Sequence, residues 1–455
     1  MKKGSFIKTR LEKLRNRLYW GFDALKGGRT KAHYDDIRFI LENYGSEESN
    51  NRRDRHLGDL LDHAVKTTDF YREFSGYGNL QDFPILNKSV IRENYPSIQS
   101  SAFRGKDNFK MSTSGSSGTP FTTLQNKDKK RRNTADAIYL KQQAGFEIGY
   151  RLYYVRKWFK MHRRSWLTTE MRNIDMVNVT EFSDAYLSDL ISTLERDKST
   201  KAILAYSSAL RDICKYLDKI GSGQVNTEIS CIIAMAEGLS DTTRKALKKF
   251  FDAPVLLRYS NMENGILSLQ LSEVNNHLQI NWASYFVEIL HPDKDIPVKE
   301  GELGRVVVTD LFNYCMPFIR YDTGDLARMV PDSVFNAAPA FSKVEGRTMD
   351  ALYDTKGNIQ SSFIIFHLES YPEIKQFQFI QEGKKQYTLK LNLERPFRHG
   401  KQVLELLKGY LGNDAEIVIT YENEIPQLAS GKRRLIINNY KKKMKSKNRQ
   451  TSSQT

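Results

Sequence analysis

The stretch Ser112-Thr113-Ser114-Gly115-Ser116-Ser117-Gly118-Thr119-Pro120 puts six hydroxyl side chains and two glycines into nine residues. Glycine lets the backbone approach a ligand closely and turn its N–H groups inward, and Ser/Thr hydroxyls add further donors, a combination suited to the oxygens of a phosphate chain. It is not a Walker loop, because Thr119-Pro120 stands where that motif carries lysine. A flexible Gly/Ser linker is the other reading of such a composition. The closing proline and the globular pattern on both sides favour a built loop.

Outward from this loop, helices alternate with short apolar runs. Phe121 to Leu124 reads as a strand and Lys127 to Gln143 as a helix opened by a basic run. Arg151 to Trp158 alternates as a strand would. The helical stretches Ser183 to Leu194 and Ser208 to Ile220 flank the apolar run Ala202-Ile203-Leu204-Ala205. The runs Cys231 to Ala236 and Pro254 to Leu257 bracket a helix Asp241 to Phe251. Apolar runs of this length between helices predict an α/β fold with a sheet buried on both faces. From Leu267 to Val308 the period changes to strand-like alternation, which predicts a second sheet or barrel of antiparallel strands. Beyond Gly346 a compact α+β piece follows: strands Phe377 to Gln381, Tyr387 to Leu393 and Ala415 to Thr420, with a helix Gly400 to Leu411. Upstream, His33 to Lys66 reads as two helices separated by the polar Gly45 to Asp54. Leu80 to Ser97, with Phe83-Pro84-Ile85-Leu86-Asn87-Lys88, reads as a short apolar piece leading into a capped helix. The expected divisions are a basic extension 1–32, a large domain 33–345, a small C-terminal domain 346–440 and a basic tail 441–455.

The chain of 455 residues carries a formal charge of +16, and its location limits what that charge can mean. Residues 1–32 are net +8 and residues 441–455 net +6, so the body between them is close to neutral. That argues against a nucleic-acid groove across the fold. The first segment sets Phe6, Leu11, Leu14, Leu18 and Phe22 among Lys8, Arg10, Lys13, Arg15 and Arg17, a basic amphipathic helix that either lies on an anionic membrane surface or packs on the body by its apolar stripe. No run reaches the roughly 18 to 20 apolar residues of a membrane span, and Met1-Lys2-Lys3-Gly4-Ser5 is not followed by a signal peptide's apolar stretch, so the expectation is a cytoplasmic protein. Cys214, Cys231 and Cys315 show no CxxC spacing and read as buried, reduced thiols.

Three further motifs carry chemistry. In Met316-Pro317-Phe318-Ile319-Arg320-Tyr321-Asp322-Thr323-Gly324-Asp325, an acid just after a glycine turn can accept hydrogen bonds from the vicinal hydroxyls of a ribose. In Tyr259-Ser260-Asn261-Met262-Glu263, a ring can stack on a base and a carboxylate can hold Mg²⁺ against phosphates. Pro426-Gln427-Leu428-Ala429-Ser430-Gly431-Lys432 sets a lysine behind a glycine near the end of the chain.

In order and spacing, these motifs with Gly346-Arg347 resemble the adenylate-forming superfamily of acyl-coenzyme A synthetases, peptide-synthetase adenylation domains and luciferases. Within it the chain is most similar to the phenylacetate-coenzyme A ligase branch and to the CapK-type proteins associated with capsular polysaccharide synthesis. The resemblance runs from about His33 to Asn439 and is most specific over Gly301 to Ala327. It implies a large AMP-binding N-terminal domain of two α/β subdomains and a smaller β-barrel-like part, with a small mobile α+β C-terminal lid. It also implies an ATP-dependent, AMP-forming ligase that activates a carboxylate and passes the acyl group to coenzyme A or to an amine, in surface polysaccharide synthesis.

By matching motif, the resemblance assigns Ser112, Thr113, Ser114, Gly115, Ser116, Ser117, Gly118 and Thr119 to the β- and γ-phosphates of ATP. Tyr259 falls to adenine, Glu263 to Mg²⁺, Asp325 to the ribose, Arg347 to the ribose or phosphate side, and Lys432 to the α-phosphate and the carboxylate. The chain departs from the pattern at Met262, where Ser or Thr is usual, at Ser260, usually glycine, and at Met349, usually a charged hinge residue. Phe121 follows the loop's proline as in the phenylacetate-ligase branch. A nucleotide-binding member without turnover is the alternative these departures leave open.

Overall fold

The strand Lys201–Tyr206 is buried at every position, as a strand covered on both faces must be. Parallel partners lie on either side of it, Arg151–Arg156 and then Ile174–Asn178 on one edge, Ile229–Met235 and then Val255–Asn261 on the other. The computed structural model describes residues 3–113, 121–158, 169, 172–331, 338–426 and 434–441. These fall into two units: 1–237, 247–323 and 327–344 form the larger, and 238–246, 324–326 and 345–455 the smaller.

In the larger unit the helices Asp184–Arg196 and Ser207–Lys219 follow the parallel strands. The antiparallel strands predicted as a second sheet or barrel continue the same eleven-stranded sheet. The switch occurs at Val255–Asn261, which is parallel to Ile229–Met235 on one edge and antiparallel to Gly265–Gln270 on the other. Gly265 makes the reversal possible: its φ is +124°, and a Cβ there would meet Asn133 Oδ1 at 2.8 Å and Tyr285 Oη at 2.9 Å.

One local expectation changes. The polar Gly45 to Asp54 was predicted as a separator, yet the second of the two helices already begins at Glu47 and runs to Thr67. Ser46 Oγ accepts from Ser49 N at 3.2 Å, and Glu47 and Glu48 sit at the positive helix end, so cap and charge outweigh the run's polarity. The basic run opening the helix Lys127–Gln143 is drawn into the core. Lys129 and Arg132 are fully buried. Lys129 Nζ pairs with Asp310 at 2.6 Å. The Arg132 guanidinium reaches Asp36 Oδ2 at 2.6 Å, Ser284 Oγ at 2.7 Å and the Ala283 carbonyl at 2.7 Å, stitching the first helices to the sheet.

The first helix, Lys3–Leu25, meets the body through its polar side. Glu12 is buried and its carboxylate accepts from Thr200 N at 2.9 Å, while Asp23 accepts from Thr30 N at 3.3 Å and Lys31 N at 2.8 Å. Leu11, Leu14, Leu18, Phe22 and Leu25 are left half-exposed or more.

The smaller unit pairs Ile374–Gln381 with Gln386–Leu393 in a hairpin, flanked in parallel by Ile436–Asn438 and Glu416–Tyr421. Val403, Leu407 and Leu411, one helical stripe of Gly400–Leu411, close its core over Phe377, Phe379, Leu389 and Leu391.

Candidate active site

Glu263 stands in the turn between Val255–Asn261 and Gly265–Gln270, and its side chain is only 4% exposed. Burying a carboxylate is costly unless it is paired. Here Lys88 Nζ lies 2.8 Å from Oε1, and the Tyr321 hydroxyl donates to the same oxygen at 3.3 Å. The backbone carbonyl of Glu263 accepts from Gln125 Nε2 at 2.7 Å, which ties the turn to the strand Phe121–Gln125.

Lys88 arrives there through long-range pairing. Leu86 N donates to the Arg320 carbonyl at 3.0 Å and Asp322 N to the Leu86 carbonyl at 2.7 Å, so Leu86 runs beside Tyr321. Arg320, held at φ 50°, bridges Glu288 and the carbonyls of Gln81 and Phe83, which fixes this segment. Asn87 then caps the helix Lys88–Glu93 and sets Lys88 in its first turn. Phe121 stacks on Tyr321 with rings 5° from parallel, and the Lys88 ammonium sits 5.3 Å from the Phe121 centroid.

Tyr259 is partly buried, its ring edge-on to Phe341 at 6.0 Å and its hydroxyl donating to Thr323 Oγ1 at 3.4 Å. Thr323 and Asp325 share the strand Tyr321–Met329, separated by Gly324 at φ +77°, a conformation that favours glycine. In the smaller unit, Asp325 Oδ1 lies 3.8 Å from Arg347 Nε. The structure thus joins Glu263 to Tyr321, Tyr259 to Thr323, and Asp325 to Arg347. Ser112 is the next-to-last residue and Thr113 the last of the strand Phe109–Thr113, paired antiparallel with Phe121–Gln125, and the Ser112 hydroxyl is 3.1 Å from Thr122 Oγ1. Ser114, Gly115, Ser116, Ser117, Gly118, Thr119 and Lys432 lie outside the described residues. Just beyond Lys432, Arg434 pairs with Asp350. Lys88, Gln125 and Tyr321 were not singled out as site residues from sequence. Asn87-Lys88 carries only a helix-start signal there.

The donor set fits magnesium in one way. Among the described residues no cluster of three or more His, Cys, Asp or Glu could hold a metal. A lone carboxylate serves Mg²⁺ only together with phosphate oxygens and water, the usual arrangement for that ion on a nucleotide. Glu263 suits it, with the Lys88 ammonium as competitor for Oε1.

A family model described as the CapK C-terminal domain matches residues 352–439. Protein CapK of Staphylococcus aureus is 25% identical over 92% of this chain and 94% of its own. Over nearly its whole length the chain is similar to CapK, and its C-terminal part matches that protein's domain. Phenylacetate-coenzyme A ligase of Pseudomonas putida is 22% identical to this chain over 55% of it and 52% of the relative. The crystal structure of a 2-hydroxyisobutyryl-CoA ligase in its postadenylation state, in complex with R3-HIB-AMP, superposes with a TM-score of 0.69 at 16% identity, covering 90% of this chain and 93% of that one. The fold is that of an adenylate-forming ligase, with a small α+β C-terminal part.

Proposed function

We propose that this protein is an AMP-forming ligase: it binds ATP, activates a carboxylic acid as its acyl-adenylate, and passes the acyl group to a thiol or amine acceptor, in surface polysaccharide synthesis. The observation that carries this reading is the buried Glu263 carboxylate four residues after Tyr259, a charge that a turn between strands does not need for folding. In the reaction a carboxylate oxygen of the acid attacks the α-phosphorus, the bond to the bridging oxygen of pyrophosphate breaks, and pyrophosphate leaves. Glu263 would hold magnesium, which when bound would supply charge neutralisation at the phosphates. Asp325 accepts the ribose hydroxyls, with Arg347 beside it. The loop Ser112 to Thr119 wraps the β- and γ-phosphates, and Lys432, carried on a C-terminal lid 346–440, meets the α-phosphate as negative charge spreads there.

Asp325→Ala is the test of nucleotide binding. Hydrogen bonds to a charged group contribute roughly 1.5 to 3 kcal/mol each, so ATP affinity should fall by at least about tenfold in calorimetry. Unchanged affinity would mean that the ribose sits elsewhere. Two observations favour a second reading, nucleotide binding without turnover: Met262, partly exposed, offers phosphate no donor, and Lys88 already holds the Glu263 oxygen.

We further propose that the helix Lys3–Leu25 rests on an anionic bilayer. At about 100° per residue, Leu11, Leu14, Leu18, Phe22 and Leu25 fall within about 80° of arc, with Arg15 on one flank and Arg10 and Arg17 on the other. The helix's two acids face the body and are hydrogen-bonded there. An apolar stripe bordered by cations and rid of acids complements anionic headgroups. Leu14→Ser with Leu18→Ser should cut binding to phosphatidylglycerol vesicles by about tenfold or more, since burying a leucine contributes about 1.5–3 kcal/mol. Equal binding by the variant, or equal binding to uncharged phosphatidylcholine vesicles, would refute the proposal, and an oligomeric state that falls apart in the variant would assign the stripe to a second copy instead.

A further inference from the structure

At the carboxyl ends of the parallel strands, one row of side chains stands out. Val155 pairs with Ala205, Tyr206 with Met235, and Met235 with Arg258, so Arg156, Tyr206, Met235 and Arg258 stand level across four neighbouring strands and project from one face. Tyr154, two residues before Arg156, shares that face. Arg156 Nη1 donates to the Tyr154 hydroxyl at 3.3 Å, and Arg258 donates to the same oxygen. Among the described residues Arg258 Nη2 otherwise meets the thioether of Met235, at 3.0 Å, and its Nε is buried with no hydrogen-bond partner. Arg156 lies against the Trp158 and Tyr154 rings, 5.2 and 5.6 Å from their centroids, and donates Nε to the Lys157 carbonyl at 3.3 Å. Among the described residues neither guanidinium meets a carboxylate. Glu237 is close enough to Tyr206 to act on its hydroxyl, and one of its oxygens is taken by Ser208 N at 3.0 Å.

Two guanidiniums sharing one phenol are an expensive arrangement without an anion. The phenol registers their field. Burial alone would raise its pKa, yet Arg258 and Arg156 hold Tyr154 below the ordinary tyrosine value. Burial in turn lowers the pKa of Arg258, as expected of a cation lacking its counter-charge. Open α/β sheets take ligands at the carboxyl ends of their parallel strands, which is where this pair stands. Arg258 immediately precedes Tyr259, so one small molecule can reach over the end of that strand from the arginine pair to the nucleotide.

We propose that Arg156 and Arg258 bind the far end of the acid substrate, and that the acid activated here therefore carries a second anionic group, as a dicarboxylic acid does. This rests on the reading of the chain as a carboxylate-activating ligase. The planar guanidinium fork matches a carboxylate's two oxygens, and a neutral tail would leave both charges unpaired.

The test uses length-matched acids, glutarate against pentanoate and succinate against butyrate, in two assays on the full chain: calorimetric binding without ATP, and exchange of labelled pyrophosphate into ATP. The diacids should be favoured by at least about tenfold in both. Arg258→Met and Arg156→Met should each erase most of that preference and leave the monoacids unchanged, with folding checked by circular dichroism, while Arg258→Lys should retain part of it. Equal binding of diacid and monoacid by the wild type, or a preference surviving both Met variants, overturns the proposal. A diacid preference in binding with no exchange for any acid keeps the anion site and overturns the ligase reading, and exchange with monoacids alone does the reverse.

Discussion

Replacing Lys432 by alanine is expected to lower pyrophosphate release by on the order of 10²-fold or more while ATP affinity changes little. The reasoning is differential. A cation that meets the α-phosphate only as negative charge develops there stabilises the transition state far more than the bound nucleotide. The ground-state contacts to ATP, by contrast, are assigned to the hydroxyl-rich loop, Tyr259, Asp325 and Arg347. A supplied acyl-adenylate should still react with the acceptor in the variant, because that step builds no new charge needing this lysine. Pyrophosphate release that persists at wild-type rate in Lys432→Ala would remove the lysine from the mechanism.

Lys129→Met is expected to cost about 3 to 5 kcal/mol of folding stability, the penalty for stranding one member of a buried ion pair. The pair is fully buried, 2.6 Å apart, and Lys129 Nζ also reaches the Tyr285 hydroxyl at 3.2 Å. Burial already holds the Asp310 carboxyl above its usual range, against the pull of Lys129, and losing the ammonium pushes it further up. The pH dependence follows. A carboxyl with a raised folded-state pKa binds a proton more tightly folded than unfolded, so the variant should regain stability as pH falls toward the unfolded carboxylate value and lose it as pH rises through the raised one. Urea melts across that range measure both effects. A loss below about 1 kcal/mol at neutral pH would mean that Asp310 finds another partner. Replacing Asp310 by leucine in the same chain should restore much of the loss, since an apolar pair of similar size leaves no stranded charge.

Much of the scaffold was legible in the sequence because it rests on local signals. The helices Lys127–Gln143, Asp241–Phe251 and Gly400–Leu411 begin and end where periodicity and polar flanks place them. The strand Lys201–Tyr206 announces its double burial by a continuous apolar run. Lys88 is a different case: its contact with Glu263 depends on Leu86 lying beside Tyr321, a pairing across more than half the chain that no local pattern records. Arg156 and Arg258 come level only through the register of four parallel strands. The burial of Lys129 and Arg132 was not legible for the same reason, since only the tertiary fold brings Asp310 and Asp36 against the basic run. For the first helix the sequence left two orientations open, and the hydrogen bond of Glu12 to the Thr200 N–H, which no local pattern records, leaves the apolar stripe exposed.

The central claim, that this chain adenylates a carboxylic acid, is tested most directly by exchange of labelled pyrophosphate into ATP by the wild-type protein with magnesium and a panel of mono- and dicarboxylic acids. Exchange that depends on the acid, strongest with a diacid, is the result predicted. No exchange with any acid, from a protein shown by calorimetry to bind ATP, would contradict the claim and leave nucleotide binding without turnover.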